Sequence, residues 1–174
     1  MASEDVLPTP VRLRFPLGIL HTSDAVTLSV LRIGLGLVMF PHGAQKLLGW
    51  FGGPGFSGTM NMFTSGLNIP APIAFLVIVG EFVASILLLT GLFTRIAALT
   101  VAAIMLGAIF IVHAPHGFFM NWTGAQGGEG FEYHLLALTV AIGVFIGGGG
   151  AGSVDRLIEV FRSEDQVDPL ESSA

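Results

Sequence analysis

A chain of 174 residues that is 52% hydrophobic and only 11% charged departs far from a soluble domain, in which roughly a quarter of residues carry charge. Its net charge of -5 comes mostly from acids near the two ends, Glu4, Asp5, Glu159, Glu164, Asp165, Asp168 and Glu171, and no basic surface suited to nucleic acid is present. Cysteine is absent, which excludes disulfides, thiol redox chemistry and cysteine-ligated metal or iron–sulfur centres, so any electron transfer needs a borrowed cofactor.

The N-terminal segment, residues 1–23, reads as a tail and not as a cleaved signal. Glu4 and Asp5 come first, and Pro8, Pro10 and Pro16 break what would be the apolar region. Four apolar stretches follow, each near the 20 or so residues that cross about 30 Å of hydrocarbon. The first covers residues 25–48, opened by Ser23 and Asp24 as N-caps and interrupted near its end by Pro41. The second covers 72–92, with Pro70 and Pro72 where a helix start tolerates them. The third covers 95–113 and is ended by Pro115; the fourth covers 131–148 and stops at the glycine cluster 147–150. Strands of a membrane barrel would alternate apolar and polar residues, which these do not. The expected fold is all-α, a polytopic membrane protein built as a four-transmembrane-helix bundle over residues 24–157, with an acidic cytoplasmic tail at 158–174.

Orientation follows from lysine and arginine, which collect in short cytoplasmic flanks. Arg12 and Arg14 precede the first span, Arg95 separates the second from the third, and Arg156 and Arg162 follow the fourth. The long loops 49–71 and 114–130 contain neither residue type. Both termini are therefore expected to be cytoplasmic. Small residues at helix-contact spacing, Ala98 and Ala102, Ala103 and Gly107, Gly143 and Gly147, predict close packing of the spans.

Ionisable residues at membrane depth cost roughly 2.5 kcal/mol or more to insert and mark function by default. Arg32 in span one and Glu81 in span two reach similar depths by helical rise, which predicts an intramembrane Arg32–Glu81 pair. A second group gathers toward the outer side: His42 and Lys46, four apart on one face, with Gln45 beside them; His113 at the end of span three; Glu132 and His134 at the start of span four. Histidine and glutamate trade protons near neutral pH, and lysine holds an anion or a quinone oxygen by charge-assisted hydrogen bonds. His42 and Lys46 are thus cofactor-binding candidates, and His113 and Glu132 candidates for proton handling. Trp50 and Phe51 in the first outer loop are expected to cover a bound ring, with Phe56, Met60, Phe118, Phe119, Met120 and Trp122 as further interfacial residues. The glycine-rich run 49–56 lacks the Gly-Lys-Ser/Thr ending of a phosphate loop and reads as a folded lid. A haem or zinc site from His42, His113, His116, His134 and Glu132 has no paired ligand spacing behind it, and no metal is predicted.

The run Leu31-Arg32-Ile33-Gly34, then Pro41-His42-Gly43-Ala44-Gln45-Lys46-Leu47 and Phe51-Gly52-Gly53-Pro54-Gly55, resembles the bacterial DoxX family. So do Gly80-Glu81, Thr90-Gly91-Leu92-Phe93-Thr94-Arg95 and Gly150-Ala151-Gly152-Ser153-Val154-Asp155-Arg156, so that the likeness covers residues 28–157. The resemblance implies a four-helix inner-membrane protein, with relatives linked to quinone reduction or to oxidative-stress complexes. By motif position it carries over Arg32, His42, Lys46 and Glu81. The leading expectation is a quinone-interacting subunit of a membrane redox system, working with a redox partner subunit or soluble protein. Its rival is a non-enzymatic scaffold that recruits a partner through its outer loops or acidic tail. A small-solute or proton carrier ranks third, because no inverted repeat is evident.

Overall fold

The computed structural model describes residue 18 and residues 20–164, with side chains as far as residue 161. Arg12, Arg14 and the acidic segment from 165 onward lie outside the described residues. α1, Val26–Leu48, ends where Gly49 takes a left-handed φ of 74° and its N–H caps the Ala44 carbonyl. The interruption expected at Pro41 does not occur. Proline removes one intrahelical donor, but α1 is clamped to the second span at this level: a Cβ on Gly43 would stand 2.6 Å from the Phe82 Cα. Nor do Ser23 and Asp24 cap α1. Ser23 accepts the Ala25 N–H at 3.1 Å and Asp24 pairs with Arg156 at 2.6 Å.

The loop read as a lid contains a short helix, α2, Gly55–Asn61, which continues as a π-helical turn, Met62–Gly66. It lays Phe63 against Ala74 and Ile78 of α3, Ala71–Thr90. α3 opens with Pro72 in its first turn and closes on Gly91, φ 72°. α4, Thr94–Ala108, runs into a second π-helical turn, Ile109–His113, and Ala114–His116 ends it. α5 is Glu132–Gly147 and α6 is Val154–Glu164.

Three stretches, Val26–Leu48, Ala71–Thr90 and Thr94–His116, are long and apolar enough to cross a membrane, and Glu132–Gly147 is a shorter apolar helix. α1 packs on α3 and α5, and α4 packs on the other sides of the same two helices. The shared core is built from small side chains, among them Ala84, Ala97, Ala98, Ala102, Ala137 and Ala141, with Leu35, Met39, Leu88, Val101 and Val144 between them. That composition suits helices that must approach closely without a hydrophobic drive between them. Large apolar residues such as Val26, Leu37, Phe110, Leu136 and Ile146 face outward. The fold is a polytopic membrane helical bundle. Of the predicted small-residue contacts, Ala98 and Ala102 are buried in the core and Gly147 packs on Leu28, whereas Gly107 and Gly143 have no neighbour within 4 Å of a would-be Cβ.

One end of the bundle, the terminal end, collects residues 20–25, the α3–α4 turn and α6, and the other, the loop end, carries the two long connecting segments. At the terminal end Asp155 accepts the Phe93 and Thr94 N–H groups at 2.8 and 2.9 Å, satisfying donors that open α4. Ser29 bonds the Ala151 carbonyl and Thr22 Oγ1 accepts the Gly150 N–H at 2.7 Å.

Candidate functional site

At the loop end the bundle encloses a cavity of about 890 Å³. Most of its wall is apolar, supplied by α3, α4 and the turn that follows α2. Its polar end is supplied by α1, α3 and α5. Lys46 Nζ donates to Glu81 Oε1 at 2.7 Å, and Glu81 is 2% exposed. The pairing spares each side chain the cost of a lone charge in a buried site.

Beside this pair stand four rings. The His42 and Tyr133 centroids are 6.2 Å apart, Tyr133 and His134 are 5.4 Å apart edge to face, and His134 lies on His113 at 3.9 Å. All four residues line the cavity. His113 Nδ1 lies 2.8 Å from the Glu129 carbonyl oxygen, and the Tyr133 hydroxyl reaches only the Met39 sulfur, at 3.9 Å. His134 is 8% exposed, yet its Nδ1 has no hydrogen-bond partner. An unmet buried polar atom costs about 1–3 kcal/mol, so this nitrogen on a cavity wall is suited to a ligand atom.

Several expected site residues sit elsewhere. Arg32 does not pair with Glu81. It is 3% exposed and donates to the Leu88, Leu89, Gly149 and Gly152 carbonyls at 2.8, 2.9, 2.6 and 3.4 Å. Gly43, eleven residues beyond Arg32, is the α1 position that faces Glu81 and Phe82. The two charges therefore lie at different depths, and the flexible Lys46 stem supplies the partner instead. Trp50 and Phe51 are exposed and absent from the cavity lining; Met62, Phe63, Leu67 and Ile69 cover it in their place. The covering turn descends into the bundle after α2, whereas 50–51 lie just beyond the end of α1. Glu132 also leaves the site, because its carboxylate accepts the Met120 N–H at 3.0 Å and the Trp122 indole N–H at 3.2 Å, pinning the second loop. His116 packs against Gly128. Among the described residues no group of three or more His, Cys, Asp or Glu is arranged to hold a metal.

His42, Lys46, Glu81, His113 and His134 do converge on the cavity. Tyr133 and Glu129, which also line it, were not singled out from sequence. Tyr133 had a usable signal, its place between Glu132 and His134 at the mouth of the fourth span. Glu129 had none, lying in a loop whose course sequence does not give.

A family model described as DoxX matches residues 27–114. The matched range includes Lys46, Glu81 and His113 and stops before Tyr133 and His134. The chain is similar to a Bacillus subtilis (strain 168) protein named "Putative oxidoreductase CatD", at 29% identity over 111 residues, 64% of this chain and 72% of that protein. No solved structure matches the chain.

Proposed function

This chain belongs to the DoxX family, and from that premise we propose that it is a quinone-interacting subunit of a membrane redox or oxidative-stress system. The carrying observation is the unpartnered His134 Nδ1 on the wall of a cavity whose other polar groups are Lys46, Glu81, His42 and Tyr133. The volume falls in the range of about 300–1,000 Å³ typical of small-molecule sites, and an apolar wall with a few converging polar groups is their usual makeup. The relative's printed name, an oxidoreductase, points the same way.

A bound quinone supplies two-electron, two-proton acceptor chemistry, with electrons from a partner subunit or soluble protein. The residues supply binding and protons. Lys46 spends one ammonium donor on Glu81 and keeps two; these and the His134 Nδ1 position would hold the carbonyl oxygens of a quinone head and favour negative charge there. The Tyr133 hydroxyl, weakly held by sulfur, serves as an exchangeable donor. His113, stacked on His134 and bonded at the Glu129 backbone, leads from the cavity toward the loop end. Glu129, which lines the cavity while one of its carboxylate oxygens accepts the Asn121 N–H at 2.6 Å, takes the proton-exchange role in place of Glu132, which is absent from the lining. We place the protein in the bacterial inner membrane with both termini cytoplasmic, so that the cavity lies toward the outer side; Arg95 and Arg156 at the terminal end support this orientation.

Titration of the protein in lipid nanodiscs with an isoprenoid quinone tests the reading. His134→Leu and Lys46→Met should each weaken binding about tenfold, the loss of one charge-assisted or buried hydrogen bond, while Trp50→Ala should leave it unchanged. Saturable binding absent from the wild type, or equal in all variants, would refute it. One feature favours the scaffold reading instead: α6 exposes Leu157 and Phe161 four residues apart on one face, a surface on which a partner could seat.

A further inference from the structure

The walls of the cavity are also part of the outer surface of the bundle. Leu76 on α3 is 66% exposed, and Ile73, Leu99 and Ile111 are exposed as well, yet all four line the cavity. The gap runs between α3 and α4. Toward the terminal end the two helices touch, a Cβ on Gly80 standing 3.4 Å from Thr100 Cγ2. Seven residues on, about 10 Å along α4 at 1.5 Å per residue, Gly107 has nothing within 4 Å of a would-be Cβ. The seam is therefore a wedge that opens toward the loop end, and Ala103 and Gly107 form its α4 edge with the smallest side chains available. No charged side chain is exposed along it; the polar groups of the cavity lie farther in, His42 and Lys46 on α1, the buried Glu81 on α3, and Tyr133 and His134 on α5.

We infer that this seam is a lateral portal from the bilayer, admitting an amphiphile with a long hydrocarbon tail whose head reaches Lys46 and His134 while its tail stays between α3 and α4. Ala103 and Gly107 set the bulk that passes. The inference rests on the cavity being a ligand site, as proposed above, but requires only a tailed, lipid-dissolved ligand. A solute arriving from water would have to shed its hydration along an apolar seam or displace Met62, Phe63 and Leu67 at the loop end.

The chain has no cysteine, so a thiol introduced by Val77→Cys, on the cavity wall, is unique. In proteoliposomes a long-chain N-alkyl maleimide dissolved in the bilayer should label it faster than a charged, impermeant maleimide. Gly107→Trp should slow the alkyl reagent severalfold. Gly34→Trp, the same bulk on an exposed α1 position that also has nothing within 4 Å, should not. If Gly107→Trp fails to insert, Ala103→Leu is the milder plug. Labelling insensitive to either plug, or faster by the charged reagent, overturns the portal. Protection by a long-tailed isoprenoid quinone is read in parallel: plug-sensitive labelling without protection supports the portal and removes the quinone, so the two proposals fail separately.

Discussion

Glu81 decides much of the site's energetics, because a carboxylate 2% exposed within a bundle has Lys46 as its counter-charge at 2.7 Å. Removing one partner of a buried pair typically costs about 3–5 kcal/mol, while replacing both with apolar residues is often near neutral. Lys46→Ala and Glu81→Ala should each lower the melting temperature and yield of detergent-purified protein, and Lys46→Met with Glu81→Leu should recover most of the loss. An additive double variant would mean that the two are not energetically coupled. Sequence showed that Glu81 needed a cation but not which one. Depth arithmetic pointed to Arg32, yet Arg32 spends its donors on backbone carbonyls, acceptors that leave no mark in an amino-acid sequence. The convergence of His42, Lys46, His113 and His134 was legible, since i, i+4 spacing and up-and-down threading fix which end of the bundle each reaches.

Among the elements, the four long apolar helices were readable to within a few residues, because an apolar run bounded by glycine or proline has few alternatives in a chain so poor in charge. α2 was not. Its seven residues, Gly55–Asn61, include two glycines and no apolar repeat, and tertiary packing of the turn after it, not propensity, holds it in place. The α1–α3 contact rests on Gly43, where a Cβ would meet the Phe82 backbone at 2.6 Å. Gly43→Leu should force the helices apart and destabilise the protein by about 2 kcal/mol or more, measured by thermal unfolding in detergent, whereas Gly34→Leu should be close to neutral. α6 is tethered through Glu159, which accepts from His21 at 2.8 Å, the Thr22 N–H at 3.4 Å and Arg156 at 3.3 Å. Burial alone would raise this carboxyl, but those hydrogen bonds outweigh it and hold it below its ordinary 4.5. A carboxyl with a lowered folded-state pKa contributes stability above its unfolded value and loses it as pH falls through the folded one. Amide exchange in α6 should therefore quicken as pH drops below 4.5, after correction for intrinsic rates, and Glu159→Gln should flatten part of that dependence.

For the whole molecule, composition alone placed the chain in lipid, and the arrangement of helices around a shared alanine-rich core follows from short α3–α4 linkage and close small-residue contacts. Impermeant labelling should find positions near Arg95 on one side of the membrane and those near Thr59 and Gly127 on the other; accessibility of all three from one side would contradict the threading. What sequence could not supply was the shape of the space between the helices. Trp50 and Phe51 looked like a cover because aromatics near a glycine-rich turn favour the interface, but the chain's path sends Phe63 and Leu67 over the cavity instead. The central claim is that a quinone head sits among Lys46, Tyr133 and His134. A photoreactive quinone cross-linked to the protein in membranes and mapped by peptide mass spectrometry tests it most directly. Adducts confined to segments 39–46, 62–81 and 129–134, and competed by unmodified quinone, are the predicted result; adducts centred on Trp50 and Phe51, or spread over the lipid-facing surface without competition, would contradict it.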